Sequence, residues 1–192
     1  MRKLLYIVIA IILLAACVGS GKERAILDLA QRIINERPDS ALAILDSLEP
    51  SSQDFSQKNL RRWQLLRLMA QNKCDTVFRD DSLQKELVKY YDRHGTPNER
   101  MVAHYLLGRA YSDMGEAPRA LQCFLNAVAC ADTTSQECDF KTLFRIYGQV
   151  AMVYRSQCIP DEELAAWNQC SHFAEKSGDM YSHIRGIEMT IG

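Results

Sequence analysis

Residues 101 to 131 read MVAHYLLGRAYSDMGEAPRALQCFLNAVACA, and in this stretch small and aromatic residues fall at fixed intervals. Leu107-Gly108 is followed by Tyr111, then by Gly115, Ala120, Phe124 and Ala127. Apolar positions recur at helical spacing on both sides of Gly115. That glycine is a helix breaker, and Pro118 follows at the start of the next periodic run, so the stretch predicts two helices joined by a tight turn. Gly108, Ala120 and Ala127 let the two helices approach, while Tyr111 and Phe124 fill the space between them.

The same punctuation extends outward. Thr96 and Glu99 are spaced as a capping box, with Pro97 at the first helical position of the helix that runs to Gly115. Asp80 or Asp81 caps the preceding helix, which carries Leu83, Leu87, Val88 and Tyr91 until Gly95. Before it, Leu60, Trp63, Leu66 and Leu68 to Ala70 mark another helix, reached through a polar connection at 51–55. Pro38 opens a helix striped by Ala41, Leu42, Leu45 and Leu48, with Pro50 after its end. Ser20 and Glu23 make a further capping box ahead of Ala25, Ile26, Leu29, Ile33 and Ile34. All five prolines fall at predicted helix boundaries, as an all-α chain requires. Composition agrees: 192 residues with 47% hydrophobic and 24% charged can bury a core, and 8% aromatics with 9 Gly argue against a sandwich or barrel. With 23 Lys+Arg against 24 Asp+Glu, there is no basic excess to hold a phosphate backbone, so nucleic acid is not expected as a direct ligand.

The pattern at 101–131 resembles a tetratricopeptide repeat (TPR) at seven positions, with His104 where that family usually has tryptophan. A second copy is visible at Tyr147, Val150, Ala151, Tyr154, Leu164, Trp167 and Cys170, with Glu163 where a small residue is expected and Cys158 in place of glycine. Tyr111 and Tyr154 are 43 positions apart, longer than the family's repeat of about 34, and the excess lies in the polar stretch Asp132 to Asp139. A third copy begins after Gly178, with Ile191-Gly192 in the place of Leu107-Gly108. The resemblance implies an all-α, TPR-like α–α superhelix of stacked antiparallel helical hairpins, with degenerate hairpins at 23–95 and TPR-like repeats at 96–192, the last incomplete. It also implies a non-enzymatic module that binds a protein or peptide.

The family's peptide-facing positions correspond to Val102, Tyr105, Arg109, Ser112 and Asp113 in the clear repeat, and to Arg145, Gly148, Met152, Arg155 and Ser156 in the next. Arg109, Arg145 and Arg155 make that groove basic, so the expected ligand is an extended peptide with an acidic side chain or C-terminal carboxylate. The alternative is that these arginines solvate an exposed face.

At the N-terminus, Arg2 and Lys3 precede the apolar run Leu4 to Ala16. As a helix this run rises about 20 Å, short of a hydrocarbon core of roughly 30 Å, and it reads as a signal peptide over 1–16. Leu14-Ala15-Ala16-Cys17 resembles the lipobox of bacterial lipoproteins, which implies cleavage before Cys17, acylation of that cysteine and membrane anchoring, with 17–22 as a flexible tether. Arg37 to Leu48 resembles the opening of TPR-containing envelope proteins of Gram-negative bacteria, including membrane-associated signalling proteins. Their arrays often continue into a transmembrane helix and a helix-turn-helix or kinase module. Neither pattern occurs in these 192 residues, which leaves a fragment of a signalling protein or a short lipoprotein. No acid follows Cys17 directly, and the lipoprotein resemblance then implies a periplasm-facing outer-membrane location. The second functional expectation is a structural assembly or scaffold lipoprotein for outer-membrane complexes.

Catalytic and metal readings find little support in the residues. Ser82-Leu83-Gln84-Lys85 and Lys176-Ser177-Gly178 fit two motifs of penicillin-interacting enzymes, but the middle motif is missing and both fall at predicted helix ends. Cys170 and His172, taken with Cys158 or His183, match no common zinc spacing. Cys123 and Cys130 lie about 10 Å apart along one helix, too far for a mutual disulfide. With Cys170 they read as small core residues, leaving Cys74 and Cys138 free to bridge. No catalytic residue, metal or cofactor is expected.

Overall fold

The computed structural model describes residues 21–178, and every regular element in that range is helical. Helix α1 covers 21–33, followed by α2 (Pro38–Ser47), a 3-10 turn (Glu49–Asp54) and α3 (Gln57–Lys73). Then come α4 (Ser82–His94), α5 (Pro97–Asp113), α6 (Ala117–Cys130), α7 (Phe140–Ser156) and α8 (Pro160–Lys176). Among the described residues no helix is long and apolar enough to cross a membrane. The chain divides after Thr76 into two compact units.

In the first unit, α1, α2 and α3 share one core of Leu27, Ala30, Ile34, Ala41, Leu45, Leu48, Phe55, Trp63, Leu66 and Ala70. Trp63 is its centre: the indole N–H donates to the Leu45 carbonyl at 2.8 Å, and Phe55 meets the ring edge-on at 6.5 Å. This corrects two expectations. Residues 51–55 are not wholly a polar connection, because Phe55, the single apolar residue in that run, folds back onto Trp63. The α1 stripe is also rotated from the predicted one: Leu27, Ala30 and Ile34 are buried, whereas Ala25 and Leu29 are exposed. Pro50 lies within the 3-10 turn. The predicted capping box at Ser20 lies outside the described residues; Glu23 instead accepts from Asn59 Nδ2 at 3.2 Å.

In the second unit, which begins at Val77, α4 packs on α5. The contacts give the reason. Leu87 and Tyr91 are buried, Asp92 pairs with His104 at 3.0 Å, and Lys85 lies 5.9 Å from the ring centre of Tyr111. Of the two candidate caps of α4, Asp80 Oδ1 accepts from the N–H and hydroxyl of Ser82, while Asp81, at the N-cap position, makes no capping hydrogen bond and instead pairs with Lys85 at 2.7 Å.

The α5/α6 hairpin forms as the repeat pattern implies. Thr96 and Glu99 close a reciprocal capping box, Pro97 opens α5, and Gly115 turns the chain at φ +78. At the crossing, a Cβ built on Gly108 lies 2.5 Å from ring carbons of Phe124, which is itself fully buried. Ala120 and Ala127 are likewise fully buried, and Tyr105 stacks at a tilt on Phe124 at 6.0 Å.

The α7/α8 hairpin repeats this plan with substitutions. Cys158, in the place of Gly115, adopts φ 56, a left-handed conformation that costs a non-glycine residue about 1–2 kcal/mol. Glu163, in the place of Ala120, accepts at Oε1 from Arg155 Nε (2.6 Å) and from Trp167 Nε1 (3.1 Å). Desolvation acts to raise the Glu163 pKa, but these donors and the Arg155 charge together hold it below its ordinary value. Trp167 and Cys170 are buried, whereas Leu164 is 49% exposed, contrary to its expected place in the packed interface. The residues of the third copy lie outside the described residues. The long connection between the hairpins is held by Asn98, which donates to the Glu137 carbonyl at 2.7 Å and accepts from Asp139 N at 3.1 Å.

Gly108→Leu is expected to destabilise the chain by about 1–3 kcal/mol or more, because the added carbons must displace a fully buried ring. Gly21→Ala, at a position with nothing within 4 Å, is expected to cost nothing. Urea denaturation followed by helicity compares the two, and equal midpoints would show that the crossing is not tight.

Candidate functional site

Consecutive hairpins leave a cleft of about 470 Å³ at the C-terminal turns of α5 and α7. Arg109 and Ser112 come from α5, and Gly115 and Ala117 from the turn into α6. Gln149, Met152, Val153 and Ser156 come from α7, with Gln157 just after it. The glycine turn keeps one wall low, and the four-residue spacing of Arg109 and Asp113 places both side chains on one face of α5. Arg109 donates to Asp113 Oδ1 at 3.0 Å and reaches across to Gln149 Oε1 on α7. The other Asp113 oxygen accepts from Phe78 N at 2.9 Å, which fastens the segment ahead of α4.

Of the residues expected in a peptide-facing groove, Arg109, Ser112, Met152 and Ser156 line this cleft, with Met152 47% exposed. The others serve elsewhere. Tyr105 is turned into the hairpin against Phe124, and Val102 is buried. Asp113 is largely buried and occupied by Arg109 and Phe78. Arg155 is drawn to Glu163 and lies 5.8 Å from the Trp167 ring centre. Gly148 faces Trp167 and Cys170, which a Cβ built there would meet at 3.8 Å, and Arg145 is half-buried outside the lining. The expected strip of three arginines is therefore reduced to one cleft arginine, already paired. Sequence reasoning missed Gln149 and Gln157. Their signal was position: Gln149 lies one helical turn before Val153, on the face of α7 that meets the preceding hairpin.

No protein-family model matches the chain, and no curated protein matches it. What the geometry defines is a TPR-like helical repeat fold. A crystal structure from Podosopora anserina, described as kinesin-light-chain-like with nearly identical TPR-like repeats, is similar to it. The likeness has a TM-score of 0.54 at 14% identity and covers 89% of this chain and 94% of that one. Identity that low shows the fold alone. The fold is all-α and TPR-like.

The remaining candidate chemistry resolves into packing. Ser82 is bound to Asp80, and Lys85 to Asp81; Ser177 ends α8, and Gly178 turns at φ +67. Among the described residues no three His, Cys, Asp or Glu side chains group as metal ligands, and Cys74, Cys123, Cys130, Cys138, Cys158 and Cys170 are free thiols. Cys123 and Cys170 are buried as expected, but Cys130 is only partly so. Burial pushes the thiol of Cys123 up to about 11 and that of Cys170 up to about 12, from an ordinary value of 9.0. Neither is a nucleophile at neutral pH.

In the unfolded chain these thiols ionise near their ordinary value, so the stability linked to their raised folded pKa is complete below pH 9.0 and is lost as pH rises toward 11 and 12. The urea midpoint is expected to fall over that window, and to fall less in the Cys123→Ala/Cys170→Ala variant. An unchanged pH profile in the variant would refute the assignment.

Proposed function

We propose that the chain is a non-enzymatic interaction module, tethered by an acylated Cys17 to the periplasm-facing side of a Gram-negative outer membrane, that engages a peptide or protein partner in the α5–α7 cleft, with a sensory or signalling role. The observation that carries this reading is the cleft itself: an open, partly polar depression at the junction of two TPR-like hairpins, with an exposed methionine beside amide and hydroxyl groups. Four of the groove positions implied by the repeat pattern lie in its lining. The membrane part of the reading rests on the sequence Leu14-Ala15-Ala16-Cys17 and the charged, apolar segment before it.

Two experiments test these parts separately. A photo-crosslinking amino acid at Met152 is expected to give a discrete adduct in cells, whereas the same group at Leu164, exposed on α8 outside the cleft lining, is expected to give none. Equal adducts at both positions would place recognition elsewhere. Metabolic labelling with an alkyne fatty acid is expected to mark the wild-type chain and to disappear in Cys17→Ala. Persistent labelling would remove the anchor. The assembly-factor alternative predicts co-purification with outer-membrane complexes, which a signalling partner does not require.

A further inference from the structure

We infer that the cleft takes an uncharged, extended main chain, and that Gln149 is the residue that reads it, in place of the acidic ligand expected from the groove arginines. The inference rests on the reading of the cleft as a peptide site. Arg109 is the single charged side chain in the described lining. Its guanidinium is matched by Asp113, and Asp113 cannot swing aside without leaving the Phe78 N–H unpaired. A ligand carboxylate would therefore meet a compensated cation with a fixed anion behind it, and gain little from the pair.

Gln149 is set differently. A guanidinium only donates hydrogen bonds, so the contact with Arg109 fixes the carboxamide oxygen toward α5 and turns Nε2 the other way. That Nε2 has no hydrogen-bond partner among the described residues. Beside it, the Ser156 hydroxyl donates to the Val153 carbonyl at 2.7 Å and accepts from Gln157 Nε2 at 3.4 Å, which turns the Gln157 amide oxygen away as an acceptor. Neutral donors and acceptors from one wall, with the apolar Met152 between them, match the alternating C=O, N–H and side chain of an extended segment. The volume suits a few residues and not a folded domain.

The test pans the full chain in detergent against two phage libraries: random linear peptides flanked by linker at both ends, and peptides displayed with a free C-terminus. The inference expects enriched internal peptides without an excess of Asp or Glu. It expects their affinity to change less than about twofold between roughly 50 and 500 mM salt. Gln149→Glu keeps the partner of Arg109 but replaces the donor with an acceptor, and is expected to weaken binding at least about tenfold with helicity intact. Gln149→Leu, which removes both groups, is expected to do the same. Enrichment of acidic or free-carboxylate peptides that salt displaces, or unchanged affinity in both Gln149 variants, would overturn the inference while leaving the cleft as a peptide site. Failure of either library to enrich any peptide that a Met152→Glu substitution weakens would instead overturn the peptide-site reading on which it rests.

Discussion

The closeness of α5 and α6 governs the second unit. Their crossing leaves no room for a side chain at Gly108, so the ring of Phe124 lies directly against backbone, and Ala120 and Ala127 keep the rest of the contact flat. Close packing of this kind fixes the angle between helices more firmly than a larger, softer contact, because either partner can shift only by opening a void. The cleft inherits that rigidity. Arg109 lies one residue beyond Gly108, so the same crossing that seats Phe124 sets the height from which Arg109 reaches α7.

Helix boundaries and the repeat plan were legible in the sequence because they are written in local chemistry. The Thr96–Glu99 box, the prolines that open α2, α5, α6 and α8, and the turn at Gly115 each need only a few neighbouring residues. The second hairpin was readable despite two irregular positions, since Cys158 accepts the left-handed turn and Glu163 exchanges packing for hydrogen bonds to Arg155 and Trp167. Phase along a helix was harder. The α1 stripe was misplaced by about one position because Ala25 and Leu29 fit helical spacing as well as Leu27 and Ala30 do, and only the tertiary position of Trp63 and its neighbours separates them.

The candidate site was partly legible, for a related reason. Repeat position indicates which side chains point toward the groove but not what each will bind once there. Repeat position assigns Arg155 and Asp113 to the ligand, yet both are taken by partners that lie far away in sequence or in the other helix of the hairpin: Glu163 for one, the backbone of Phe78 for the other. Gln149 carries no motif at all and becomes notable only when Arg109 arrives from the preceding hairpin. Charge summed along a groove is thus a poor guide to its ligand where most of that charge is already neutralised within the protein.

The tie made by Asn98 has a consequence for how this molecule could vary. By gripping the connection between α6 and α7 at its far end, from the opening turn of α5, it anchors α7 to the preceding hairpin independently of the path taken by residues 132–136. The intervening stretch is thereby uncoupled from the geometry of stacking and is free to lengthen, shorten or acquire new chemistry as a surface appendage.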